Sequence, residues 1–333
     1  GKTNLLDAIH YLCLCKSYFN PIDSQQIKTD EEIFLIQGDF ERKEKSEKIS
    51  CGLKRNQKKQ FKRNKKEYDK LANHIGLFPL VMISPYDVNL IMDGSEERRK
   101  FIDNVISQTD SRYLDELIAY NKQLLNRNAL LKQVATTRKL DVALLQILDE
   151  QLILSGNKIF EKRKQFLQNF IPLFNKHYSY ITENAESVSL NYQSQLLTQC
   201  FEELLNQSIE KDRVLERTTT GIHKDELQFT IREMPLKKFG SQGQQKSFLI
   251  ALKLAQYSYL QKAKEFKPLL LLDDIFDKLD DLRVRKLMEM VSHQDFGQIF
   301  ITDTGRERVL SVFKDINTAV TLFEVTDGEV KHA

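Results

Sequence analysis

Cysteine is scarce in this chain: four residues in 333, at Cys13, Cys15, Cys51 and Cys200. None of their spacings resembles a zinc-binding pair, and free thiols suit a reducing cytosol. No apolar run approaches the length of a membrane-spanning helix, so no membrane partner is expected and the protein reads as cytoplasmic. An excess of one charge sign is also missing. The net charge is only +3, so any charged partner has to be argued from where the charges lie. No serine or cysteine is paired with a histidine in the manner of a hydrolase triad. A lone His223 in the polar turn Thr220–Leu227 reads as a hydrogen-bonding turn residue. What remains is a hydrophobic content of 41% without low-complexity tracts, enough for one large core or two modest ones.

The most informative stretch is Pro268 to Asp281, P-L-L-L-L-D-D-I-F-D-K-L-D-D. Four consecutive leucines have neither helical nor alternating period. A short apolar run introduced by proline predicts a strand buried on both faces of a parallel sheet. The run ends at Asp273 and Asp274, where open α/β sheets place ligand chemistry. Two acids there suit Mg²⁺ on a nucleotide phosphate, one carboxylate serving the metal and the next orienting water. A strand that merely ends in a polar turn is the competing reading.

At the other end of the chain, Gly1-Lys2-Thr3 opens a helix-forming segment with an apolar face. It matches the second half of a P-loop, in which helix N–H groups and the lysine bind phosphate and the threonine hydroxyl ligates Mg²⁺. The first half of that motif and the strand before it are expected upstream of Gly1. A third segment, Phe239 to Lys246, sets two glycines around Ser241-Gln242 ahead of a helix over Ser247–Leu260. Backbone N–H groups there are open to an anion, whereas the plain alternative is a capped turn. Its S-x-G-Q core, Ser241, Gln242, Gly243 and Gln244, resembles the signature loop of ABC-type ATPases. The order G-K-T, S-Q-G-Q, L-L-L-L-D-D, K-L-D is the order of that superfamily.

Between these motifs, residues 33–68 predict a β-meander, and Leu77–Ile83 a buried strand. From Gly94 to about Phe174 glycine is nearly absent and proline enters only at Pro172, which predicts a helical subdomain with Ser95 as a cap. Strands resume at Ser187–Tyr192 and Leu227–Ile231, with a helix from Leu196 to about Glu216 between them. A helix follows Asp281, then a strand over Gln298–Thr302 and a last hairpin turning at Asp327-Gly328. Eight Lys or Arg and no acid lie between Lys54 and Lys66. They suit either nucleic-acid phosphates or the protection of an exposed sheet edge.

The motifs together resemble the bacterial RecF family, recombination mediators related to the ATPase heads of SMC and Rad50 proteins. The resemblance spans essentially the whole chain. Beyond the three motifs it includes Ser84-Pro85, Gly94–Asp103, Arg127–Lys132, Asp149–Leu152 and Gly221–Asp225. It implies an α/β fold, an ABC-type P-loop ATPase head formed by residues 1–93 and 187–333, with an α-helical insert over 94–186. By resemblance Gly1, Lys2 and Thr3 bind ATP, Thr3 and Asp273 serve Mg²⁺, and Asp274 takes the catalytic position. Ser241, Gln242, Gly243 and Gln244 would meet the γ-phosphate held by a second subunit, and Asp280 marks the D-loop. The implied role is a weak DNA-dependent ATPase that dimerises on ATP in the DNA-damage (SOS) response. It would bind single-stranded and gapped DNA and work with RecO and RecR to load RecA. The superfamily's usual glutamate is Asp274 here, and Asp303 stands where a switch histidine is expected. A nucleotide-gated scaffold that does not hydrolyse ATP is the alternative, and a transporter subunit a more distant one.

Overall fold

The computed structural model describes residues 1–42, 44–137, 139–183, 186–275, 284–286, 289–290, 296–305, 319–326 and 328–332. The expected D-loop residue Asp280 and most of the helix after Asp281 lie outside these residues. The chain forms two compact units, one of residues 1–87 and 256–333 and one of residues 88–255.

In the first unit, helix α1 (Lys2–Leu14) buries Leu6, His10 and Cys13, which recur every three or four residues and so share one face. It stops at Cys15, whose left-handed φ of 57° lets its N–H return to the carbonyl of Tyr11. Strands β1 (Ile33–Arg42), β2 (Lys45–Lys54), β3 (Gln60–Arg63) and β4 (Lys66–Glu67) then form an antiparallel meander in chain order. Alternation shows on β2, where Glu47, Ile49, Cys51 and Leu53 point inward. Strand β5 (Leu80–Ile83) is buried at all four positions.

The second unit opens with the short α2 (Asn89–Met92) and α3 (Ser95–Thr109), whose first turn carries Glu96 and Glu97. The cap position belongs to Gly94, not Ser95, and no side chain closes it. The acids there complement the helix dipole instead. Helices α4 (Ser111–Thr137) and α5 (Val142–Thr182) make up most of the helical segment that the glycine-poor sequence predicts. Asp141 caps α5 by accepting the N–H of Leu144 at 3.0 Å. Helix α5 continues through Pro172 to Thr182, beyond the expected end near Phe174. Phe170, Phe174, Tyr178 and Ile181 are all buried, and that packing outweighs the lost backbone bond.

Strand β6 (Val188–Gln193), helix α6 (Phe201–Leu215), strands β7 (Glu226–Ile231) and β8 (Met234–Pro235), and α7 (Leu236–Phe239) complete this unit. The next helix, α8 (Gln242–Lys264), begins in it and ends in the first. Residues 187–255, grouped with the ATPase head on sequence, thus cluster with the helical segment. Buried ion pairs account for this. Arg163, 2% exposed, reaches Asp103 at 2.9 Å and Asp225 at 2.8 Å, and Arg98 meets Glu226 at 2.7 Å. Phe248 of α8 packs on Phe174 and Phe229.

Back in the first unit, β9 (Leu269–Asp273) lies between β5 and β10 (Ile299–Thr302) in a parallel sheet. Leu270, Leu271 and Leu272 are wholly buried, as expected for a strand covered on both faces. A hairpin of β11 (Phe323–Thr326) and β12 (Glu329–His332) follows.

Candidate nucleotide-binding site

Strand β9 carries Asp273 to the carboxyl edge of the parallel sheet, and α1 brings Thr3 to the same point. The Thr3 hydroxyl donates to Asp273 Oδ1 at 3.1 Å, joining residues 270 positions apart. From the next strand the Thr302 hydroxyl donates to the same oxygen at 2.7 Å. Asp273 is only 4% exposed, and these two donors are hydroxyls rather than cations. No base among the described residues forms an ion pair with this buried carboxylate, and such a group fits a hard divalent cation. Among the described residues no cluster of three His, Cys, Asp or Glu side chains is placed to hold a metal. The two oxygens of Thr3 and Asp273 suit Mg²⁺, which takes one or two protein oxygens and completes its shell from phosphate and water. Thr3 and Asp273 are the residues here that would hold it.

Lys2 and Thr3 occupy the first two positions of α1, where the helix leaves backbone N–H groups without internal acceptors. No acid stands in that first turn, so nothing competes with an anion for the helix N-terminus. Asp274 follows Asp273 with a φ of 48°. This left-handed conformation is one that Asp tolerates better than most residues. Its N–H donates to both the carbonyl and the hydroxyl of Thr302, each at 3.2 Å. Asp303 binds the N–H of Gly305 through Oδ1 in a tight local turn.

The signature-like loop belongs to the second unit. The Ser241 hydroxyl accepts the N–H of Gln244 at 3.3 Å, while the Ser241 N–H donates to the Gln244 side chain at 2.6 Å. This is a reciprocal capping box for α8, so the S-x-x-Q spacing does serve as a helix cap. The Gln244 amide also donates to Glu186, which accepts from Tyr178 as well. The Ser241 hydroxyl oxygen accepts in the first of these bonds, which leaves its proton to donate. Ser241 and the P-loop residues lie in different compact units.

The basic stretch divides into two kinds of cation. Lys59 meets Asp23 at 2.8 Å and the Cys15 carbonyl at 2.6 Å. Arg63 grips the buried Glu47 with two nitrogens, and Arg55 bonds the Glu31 carbonyl. Those three are structural. Lys54, Lys58, Lys65 and Lys66 are exposed and Lys62 half-buried. The sequence count could not separate the two kinds. Burial raises the Cys15 thiol to about 12 and Cys51 to about 11, which leaves them inert as nucleophiles. His223 contacts the Tyr120 hydroxyl and the Thr218 carbonyl, and burial lowers its pKa to about 4. It is a turn residue, as its sequence context suggests.

Thr302 is the site residue that sequence reading missed. It ends an ordinary apolar strand, and only its parallel pairing with Asp273 reveals it.

No family model matches the chain. The chain is 54% identical over 325 residues to the DNA replication and repair protein RecF of Flavobacterium johnsoniae, covering 98% of this chain and 90% of that protein. The RecF of Parabacteroides distasonis is 50% identical over 331 residues, covering 99% and 90%. A solved structure of the recombination mediator protein RecF-ATP in the RecFOR pathway aligns with a TM-score of 0.89 at 28% identity, covering 100% of this chain and 88% of that one. The RecF-ATPrS structure gives 0.86 at 29%, with coverage of 99% and 88%. An Smc head domain from Pyrococcus furiosus, at 0.52 and 14%, shares the fold, covering 100% and 87%. With half of its residues shared over nearly its whole length, the chain belongs to the RecF family of DNA replication and repair proteins.

Proposed function

We propose that the protein is an ATP-dependent DNA-binding recombination mediator that acts at single-stranded gaps. ATP binding dimerises it, and slow hydrolysis times its release. The carrying observation is the bond from Thr3 to Asp273, which joins half a P-loop to the acid-ended strand inside one compact unit. Family membership supports a role in DNA replication and repair. The ATP-bound RecF relatives support ATP as the nucleotide.

In this reading Lys2 and the first N–H groups of α1 bind phosphate, and Thr3 and Asp273 hold Mg²⁺. The bound ion would neutralise phosphate charge. Asp274 orients the attacking water. Its carboxylate is one carbon shorter than the glutamate usual in the superfamily, which suits slow turnover. DNA, single-stranded or gapped duplex, meets the solvent-facing lysines of the β2–β4 meander, and RecR, RecO and RecA act with the complex. Among the described residues no helix is long and apolar enough to cross a membrane.

The reading is tested by titrating fluorescent ATP with and without Mg²⁺, then measuring phosphate release with and without gapped DNA. ATP is expected to bind, with Mg²⁺ tightening that binding and Asp273→Asn abolishing the tightening. Gapped DNA is expected to raise phosphate release. Failure to bind ATP overturns the reading. Binding without release on any DNA leaves the nucleotide-gated scaffold in its place.

A further inference from the structure

We propose that Thr302 is a positioning residue for the nucleotide site, one hydroxyl that holds the carboxylate of Asp273 and the backbone of Asp274. The inference rests on the ATP reading above and goes beyond it by assigning a role to a residue outside all three motifs.

The hydroxyl has one proton and two lone pairs. The proton goes to Asp273 Oδ1 at 2.7 Å, and a lone pair receives the Asp274 N–H at 3.2 Å. The Thr302 carbonyl receives that same N–H, also at 3.2 Å. Thr302 therefore holds the side chain of one acid and the backbone of the next. The parallel register makes this possible by pairing Thr302 directly with Asp273.

Asp274 needs such support because its φ of 48° lies in a region that non-glycine residues visit at a cost. Strained positions persist where neighbouring contacts over-determine them. Two such contacts come from Thr302. The other hydroxyl on Asp273 cannot substitute, since Thr3 is also the P-loop residue whose oxygen would serve the ion. Thr302 has no such second duty. Threonine suits the place doubly: β-branching favours the strand, and the hydroxyl supplies the polar contacts.

Three variants separate the hydroxyl from the methyl group. Thr302→Val keeps the shape and loses the hydroxyl, Thr302→Ser does the reverse, and Thr302→Ala loses both. The readouts are Mn²⁺ binding by electron paramagnetic resonance with ATP present, and kcat against KM for phosphate release. Val and Ala are expected to weaken Mn²⁺ binding about tenfold, the scale of one lost hydrogen bond to a charged group. They are expected to lower kcat by a similar factor while KM for ATP stays within about twofold, as for a group whose contact matters in the transition state. Ser is expected to stay near the unmodified protein in both. If Val behaves like the unmodified protein, or if Ser falls with Ala, the hydroxyl has no such role and the inference is wrong. Unmodified protein that binds neither ATP nor Mn²⁺ with ATP would instead overturn the nucleotide reading itself.

Discussion

His74 and Asp273 are both buried polar side chains, and the fold treats them in opposite ways. His74 is wholly buried with both ring nitrogens engaged, Nδ1 by the Tyr68 hydroxyl at 2.9 Å and Nε2 by the Leu12 carbonyl at 2.7 Å. Donation from Nε2 to the carbonyl leaves Nδ1 to accept from Tyr68, an arrangement that needs the neutral ring. Burial lowers its pKa to about 4, opposed by the Leu12 contact. The unfolded chain, with an ordinary histidine near 6.5, then takes up protons that the folded one refuses. Stability is full above that value and declines as pH falls from about 6.5 towards 4. His223 adds an effect of the same sign. The expected loss from His74 between pH 7.5 and pH 5 is about 2 kcal/mol. Urea melts at the two pH values measure it, and a His74→Gln variant showing an undiminished pH dependence would refute the assignment. Asp273, by contrast, has hydroxyl donors that hold its carboxylate without supplying a charge. The acid was legible in the sequence because L-L-L-L-D is distinctive. Thr302 was not, since a threonine at a strand end carries no local signal.

Among elements, the meander shows why charge counted along a chain misleads. Register pairs Arg63 with Ile49 on β2, two residues beyond Glu47, so the guanidinium reaches a carboxylate on the neighbouring strand. Lys59 reaches back to Asp23 and α1. Reversing either charge is expected to destabilise the unit by about 1–3 kcal/mol, the scale of stranding a buried partner. Reversing Lys58, Lys62 and Lys65 is expected to leave the melting temperature nearly unchanged. It is expected to lower DNA affinity for all sequences and to flatten the log–log salt dependence by about one unit per lost contact. Salt-dependent binding isotherms decide between the readings, because an unchanged slope would return the lysines to edge protection. The strands themselves were legible, as was the long helical segment, from period and from missing glycine. The grouping of residues 187–255 with that segment was not. It depends on Arg163 finding Asp225 at a separation of 62 residues, which no local pattern encodes.

At the scale of the whole molecule, the chain carries its P-loop half and acid strand in one compact unit and its signature-like loop in the other. A phosphate held at the start of α1 leaves its far oxygens needing further donors. In the proposed dimer Ser241 of a second subunit supplies them. The capping box readies the serine for that task, because the Gln244 N–H occupies a lone pair and leaves the hydroxyl proton to donate. On that proposal ATP is part of the dimer interface, and ADP, without the γ-phosphate, is not. One charge-assisted hydrogen bond lost there costs about 1.5–3 kcal/mol, roughly ten- to a hundredfold in dimer affinity. Ser241→Arg is expected to leave nucleotide binding by the monomer nearly intact and to abolish ATP-induced dimers. Lys2→Ala is expected to weaken nucleotide binding itself. Because Ser241→Arg also removes a helix cap, worth about 1 kcal/mol, Ser241→Asp serves as a control that keeps the capping oxygen and has no proton to donate. It should fold like the unmodified protein yet dimerise more weakly. Sedimentation velocity with ATP and with ADP reads all three, and a Ser241→Arg protein that still dimerises on ATP would show that the second subunit does not complete the site.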